Sequence, residues 1–103
     1  MIQGMSRALT EEVQFRNRDG AGGFVSSSDW YSYPVLRFGD ALPEIDTVLI
    51  NNHKVPPTGA GETIITLVAS AIGNAVYDAT GVRMRQIPMT PFNFFAARGT
   101  QKV

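Results

Sequence analysis

The residues with the clearest chemical potential lie near the middle of the chain, where a glycine-containing loop ends in a carboxylate. The segment reads Pro56-Pro57-Thr58-Gly59-Ala60-Gly61-Glu62. The prolines disfavour helix before the loop, and Gly59 and Gly61 allow the backbone to take positive φ or to approach a ligand closely. A carboxylate held at the end of such a loop is the most distinctive chemical feature of the sequence.

The apolar run at residues 63–79 follows this loop and predicts a helix. Its hydrophobic residues recur at helical spacing, and the opposite stripe is thin and weakly polar. Such a helix is mostly buried, so the pattern predicts a central buried helix. From the local sequence alone, Glu62 is predicted to be a helix-start carboxylate that accepts hydrogen bonds from free N–H groups.

The loop does not match the glycine motifs that bind nucleotides. A dinucleotide fingerprint needs a third glycine where Ile64 stands, and a P-loop needs Gly-Lys-Ser/Thr where Glu62-Thr63 stands. A carboxylate at this position would also repel phosphate. Both nucleotide interpretations are therefore excluded by pattern and by charge.

Composition excludes several further classes. The 103 residues include 9 Lys and Arg and 9 Asp and Glu, so no net charge favours nucleic acid. The absence of cysteine excludes disulfides, cysteine-ligated metal centres and thiol catalysis within the chain. His53 is the single histidine and lies in a polar turn, so no metal site is predicted. No membrane span or signal peptide is indicated, and the compartment stays open.

The first half of the chain predicts a helix, a hairpin and a strand. Residues 2–13 have an amphipathic pattern that begins at Met1 without a capping residue. A glycine-rich turn at residues 17–22 separates two short apolar segments and predicts a loose hairpin. Residues 45–51 contain a continuous apolar core and predict a strand.

The second half predicts a helix end, a strand and a short helix. Gly81 is expected in the left-handed conformation that ends the central helix. Residues 82–87 alternate like a strand, and Thr90 with Pro91 is typical of a helix start. The last helix is expected to close at Gly99. The element order predicts an α+β fold: a small mixed sheet with a central buried helix, a flanking N-terminal amphipathic helix and a short C-terminal helix.

Several of these segments together resemble one family. Thr58-Gly59-Ala60-Gly61-Glu62, the helix that ends at Gly81 and residues 82–91 are similar to the C-terminal end of a molybdenum-binding subunit. The family is the molybdenum hydroxylases, which include xanthine dehydrogenase, aldehyde oxidase and isoquinoline 1-oxidoreductase. Ile2-Gln3-Gly4-Met5 resembles the glutamine-glycine helix of the family, and Ser32-Tyr33-Pro34 resembles a Tyr-Pro segment. Residues 1–103 are therefore predicted to be a single domain, a fragment of a larger molybdopterin-binding domain.

The resemblance implies a function and a set of site residues. Glu62 matches the general base of the family, and Gln3 matches the glutamine that contacts molybdopterin. Gly59, Ala60 and Gly61 are expected to let the backbone lie close to this cofactor. The implied enzyme is an oxidoreductase that hydroxylates an N-heterocycle or an aldehyde. Its electrons would leave through an iron–sulfur subunit, and the remainder of the molybdenum-binding subunit would be a further partner.

Two interpretations of the chain are left open. The chain is far shorter than a complete subunit, so we expect it alone neither to hold molybdopterin tightly nor to turn over substrate. The other interpretation is a stand-alone structural or interaction module that retains the fold without catalysis. Its uncapped start, phenylalanine-rich end and buried-type helix would then favour association into a homo-oligomer.

Overall fold

The computed structural model describes residues 1–17, 23–40, 44–59 and 61–101. Within these residues the chain forms three helices and one two-stranded antiparallel sheet, which confirms the α+β class. The elements are α1 (Ile2–Leu9), β1 (Phe15–Asn17), β2 (Gly23–Val25), α2 (Ile65–Thr80) and α3 (Pro91–Thr100).

Helix α1 packs against α2 at Gly4. A Cβ atom placed on Gly4 would lie 2.8 Å from Cγ2 of Val68 and 3.3 Å from Cγ1 of Ile65. Both Gly4 and Val68 are buried. The missing side chain therefore lets the backbone of α1 approach α2 closely. Among the described residues, this is the one pair of helices in close contact.

Helix α1 also holds two segments that are distant in the sequence. The buried hydroxyl of Ser6 accepts a hydrogen bond from the backbone N–H of Leu36 at 3.0 Å. The backbone carbonyl of Ala8 accepts one from the N–H of Met89 at 2.7 Å. Ser6 and Ala8 are both buried, so these bonds lie on the inner side of the helix.

The Tyr-Pro segment is tied to the region after α1 through a side-chain pair. The Tyr33 hydroxyl donates to Oε2 of Glu11 at 2.9 Å. This hydrogen bond to a carboxylate raises the pKa of the Tyr33 phenol, because ionisation would remove the donated proton and place two negative charges together.

The helix ends agree with several local predictions. Gly81 has φ 72° and ends α2 in the left-handed conformation. The Thr90 side chain accepts a hydrogen bond from the N–H of Asn93 at 3.2 Å, and Pro91 occupies the first turn of α3. Helix α1 begins at its first turn without a side-chain cap, as expected. It ends at Leu9, however, four residues before the predicted end.

The early end of α1 has a local cause. Thr10 leaves the helical region with φ −134°, and its hydroxyl donates to the carbonyl of Ser6 at 2.9 Å. The N–H of Glu11 bonds to the same carbonyl at 3.2 Å. These bonds close the last turn instead of extending it.

The predicted hairpin is confirmed, and its strands pair Phe15 with Val25 and Asn17 with Gly23. The predicted turn residues 18–22 lie outside the described part of the chain. The predicted mixed sheet is wrong, because the structure forms no strand at residues 45–51 or 82–87.

The segment at residues 82–87 keeps part of its predicted pattern without a strand partner. Val82 and Met84 are buried, as alternation requires. The Gln101 side chain takes the place of a neighbouring strand: its Oε1 accepts from the N–H of Arg83 at 2.9 Å, and its Nε2 donates to the carbonyl of Arg83 at 2.8 Å.

The prediction that the central helix is buried is also wrong for this chain. Only Val68 and Gly73 of α2 are buried, and Leu67 remains 64% exposed. Helix α1 covers one face of α2, whereas a helix that is apolar on most sides needs cover on all of them. The radius of gyration, 17.9 Å, exceeds the value of about 13 Å for a compact chain of this length. No helix in the described residues is long and apolar enough to cross a membrane.

The Gly4 contact gives a prediction about stability. Gly4→Ala should lower the free energy of unfolding by about 1–3 kcal/mol, because the new methyl group overpacks the contact with Val68. Gly99→Ala is the matched control, since a Cβ there meets nothing within 4 Å. It should leave the stability unchanged or raise it by up to about 1 kcal/mol. Urea denaturation followed by circular dichroism measures both, and equal stability of the two variants would contradict the close approach.

Candidate functional site

Three of the predicted site residues, Gln3, Gly61 and Glu62, line the same cleft. The cleft has a volume of about 320 Å³ and lies between the first turns of α1 and the turn before α2. Its lining residues are Met1, Gln3, Arg7, Gly61, Glu62, Ile64 and Ile65. The structure thus brings together side chains that are far apart in the sequence.

The position of Gln3 follows from the helix contact next to it. Gly4 lies against Val68 and Ile65, near the start of α2. The residue before Gly4 is therefore carried to the same end of α2 as the glycine loop. In the sequence pair Gln3-Gly4, the glycine makes the helix contact and the glutamine faces the cleft.

The Glu62 carboxylate is exposed and does not cap α2. Glu62 lies in the turn at residues 61–64, and its backbone carbonyl accepts a bond from the N–H of Ile65 at 3.2 Å. Helix α2 has no side-chain cap and no acid in its first turn. Among the described residues, no hydrogen bond holds the Glu62 side chain. The simpler role of Glu62 as a helix-start carboxylate is therefore not observed.

The glycines beside Glu62 face open space. A Cβ atom on Gly59 or Gly61 would meet nothing within 4 Å, and neither glycine has positive φ. Contacts among the described residues therefore do not require glycine at either position. Ala60, the third predicted loop residue, lies outside the described part of the chain.

Arg7 is the cleft residue that the sequence interpretation missed. It lies four residues after Gln3 in α1, and residues at this spacing share one face of a helix. The spacing was therefore a usable signal. The guanidinium of Arg7 brings positive charge to a cleft whose other charged side chain is Glu62.

His53 takes no part in this cleft. It is exposed, and its Nε2 lies 3.0 Å from the side-chain amide nitrogen of Asn51. Within the described residues, no group of three or more His, Cys, Asp or Glu side chains is placed to hold a metal ion.

Comparison with known proteins gives several relatives. The chain is 40% identical over 96% of its length to a nicotinate dehydrogenase subunit of Pseudomonas putida, of which it covers 8%. It is 34% identical over 88% of its length to the beta subunit of isoquinoline 1-oxidoreductase from Brevundimonas diminuta, covering 11% of that protein. It is 33% identical over 87% of its length to PaoC, the molybdenum-binding subunit of an Escherichia coli aldehyde oxidoreductase, covering 12%.

A further relative bears a different cofactor in its name. It is the membrane-bound aldehyde dehydrogenase (pyrroloquinoline-quinone) of Gluconacetobacter polyoxogenes, 37% identical over 77% of this chain, of which the chain covers 10%. No protein-family profile and no solved structure matches the chain.

These relatives confirm the resemblance predicted from the motifs. They are subunits of oxidoreductases whose names specify aldehydes or N-heterocycles, and one name specifies molybdenum binding. The chain spans only 8–12% of their lengths, which agrees with the predicted fragment of a larger subunit.

The exposed position of Glu62 gives a second stability prediction. Glu62→Gln should change the free energy of unfolding by less than about 0.5 kcal/mol, because no described contact is lost. Thr90→Ala should cost about 1 kcal/mol, because it removes the observed cap of α3. The two melts should be measured side by side. A cost for Glu62→Gln as large as that for Thr90→Ala would restore a structural role for the carboxylate.

Proposed function

We propose that this chain, which is homologous to a segment of the molybdenum-binding subunits of aldehyde and N-heterocycle oxidoreductases, forms part of the active site of such an enzyme. The observation that carries the proposal is the shared cleft. Gln3, the predicted cofactor contact, and Glu62, the predicted base, line it together although they come from different elements.

The residues of the cleft fit a polar organic cofactor such as molybdopterin. The Gln3 amide offers both a donor and an acceptor, and the Arg7 guanidinium offers donors with positive charge. Both side chains are exposed. The open space beside Gly59 and Gly61 would admit a ligand against the backbone. When bound, the molybdenum cofactor would supply the redox chemistry by accepting electrons from the substrate.

Glu62 would act as the general base in this site. A base must be free to accept a proton and must reach the group that loses it. The Glu62 carboxylate meets the first condition, because no hydrogen bond within the described residues occupies it. Its position in the same cleft as Gln3, the proposed cofactor contact, supports the second condition. Gln3 and the loop at residues 59–61 would orient the cofactor toward this carboxylate.

The proposed substrates are N-heterocycles or aldehydes, in line with the names of the relatives. Because the chain covers about a tenth of those proteins, the remainder of the subunit would complete the cofactor site. An iron–sulfur subunit would receive the electrons. One relative is named for pyrroloquinoline quinone, so this quinone is the competing cofactor. Cofactor analysis of the purified enzyme distinguishes it from molybdenum.

A stand-alone interaction module is the second candidate, and an apolar groove favours it. The groove lies between α2 and α3 and has a volume of about 620 Å³. Its main apolar lining comes from Ile72, Val76, Met89, Phe94 and Phe95. A module of this kind would associate through the groove without catalysis, and a sizing column would detect a homo-oligomer.

The first functional prediction concerns the chain by itself. Purified without other polypeptides, it should contain far less than one molybdenum per chain and show no hydroxylase activity, because the remainder of the subunit, which would complete the cofactor site, is missing. Elemental analysis and an activity assay with nicotinate and an aldehyde test this. Stoichiometric molybdenum with turnover would contradict it, and bound quinone would favour the competing cofactor.

The second functional prediction concerns Glu62 in the complete enzyme. Glu62→Gln should lower kcat by about 10²–10⁴-fold, the usual contribution of a placed base, while molybdenum content stays unchanged. Glu12→Gln is the control, since Glu12 is an exposed glutamate outside the cleft. Unchanged turnover in Glu62→Gln would remove the assignment of the base.

A further inference from the structure

The sequence of residues 45–51 is typical of a strand, but the segment forms no strand and its apolar side chains are exposed. The segment is Ile45-Asp46-Thr47-Val48-Leu49-Ile50-Asn51, which is rich in β-branched residues and has the length of a typical strand. Yet Val48, Leu49 and Ile50 are 85%, 87% and 91% exposed. Three consecutive large aliphatic side chains in water are not a stable arrangement for a finished protein surface.

The backbone of this segment is unsatisfied as well. Within the described residues, no hydrogen bond joins the backbone of residues 45–50 to any other part of the chain. The one sheet in the described residues pairs β1 with β2 and does not include this segment. Its peptide groups are therefore available for pairing with another sheet.

The pattern of side chains specifies the kind of sheet. Successive side chains of a strand point to opposite faces, so Val48 and Ile50 share one face while Ile45 and Leu49 share the other. Both faces are then apolar over residues 48–50, while Asp46 lies near the start of the segment. A strand that is apolar on both faces is typical of a sheet covered on both sides, whereas a surface strand alternates with polar residues.

We infer that residues 45–51 form a strand of a sheet supplied by the remaining polypeptide of the molybdenum-binding subunit. This inference rests on the proposed function, because it takes the chain to be part of that subunit. About nine tenths of each relative lies outside the matched segment, so a partner large enough to provide a covered sheet is expected. The strand follows the hairpin and precedes the glycine loop, so its pairing would also fix the approach to Glu62.

Hydrogen–deuterium exchange tests this directly. The probe is the related nicotinate dehydrogenase subunit of Pseudomonas putida with its homologous segment removed, co-expressed with this chain. A second protein has this chain spliced into that subunit in place of the segment, so that pairing is measured without depending on affinity. In both, the amides of residues 47–50 should exchange at least about a hundredfold more slowly than in the free chain.

Two substitutions on opposite faces test whether both faces are covered. Val48→Lys and Leu49→Lys should each weaken the complex at least tenfold, because each places a charge in an apolar layer. Val55→Lys is the control, since Val55 is exposed but lies beyond the turn at Asn52. The free chain should keep its circular dichroism spectrum in all three variants. Loss of binding in one variant alone would overturn the two-sided arrangement.

The other outcomes overturn the inference. Rapid exchange of residues 47–50 in the spliced subunit would exclude the strand. Protection that rises with the concentration of the free chain would identify a second copy as the partner instead. The proposed function fails separately: protected amides with full turnover in Glu62→Gln would remove the base and leave the strand in place.

Discussion

The arrangement of this molecule depends on the close approach of α1 to α2 at Gly4. Any side chain at this position would meet Val68 at a distance that real Cβ atoms do not adopt. The contact fixes α1, and α1 in turn holds the backbone at Leu36 and at Met89. It also places Gln3 beside the turn that carries Glu62. The packing contact at Gly4 thus determines where Gln3, its neighbour in the sequence, lies relative to Glu62.

Features determined by neighbouring residues were predictable from the sequence. Gly81 takes the left-handed conformation, and Thr90 caps α3, because each depends on backbone geometry within one turn. The strands predicted at residues 45–51 and 82–87 do not form, because a strand needs a neighbouring strand to pair with and the local sequence does not show whether one is available. For residues 82–87 the partner is the Gln101 side chain, and for residues 45–51 the described residues provide none.

The burial of α2 has the same explanation. Its apolar pattern correctly predicts a helix, but only Val68 and Gly73 of that helix are buried among the described residues. Leu67, an apolar residue of this helix, accordingly remains 64% exposed. The site was predictable in part. The motifs located Gln3 and Glu62, whereas Arg7 became apparent only from the helix face that it shares with Gln3. The role of each residue stays a proposal.

The paired hydrogen bonds between Gln101 and Arg83 have a consequence for assembly. A primary amide carries a donor and an acceptor in the same relation as a peptide group, so Gln101 imitates the backbone of an adjoining chain. At Arg83 it occupies the positions through which a foreign strand would attach. The backbone of Arg83 is therefore protected against pairing with another chain, whereas the backbone of residues 45–50 has no such cover among the described residues.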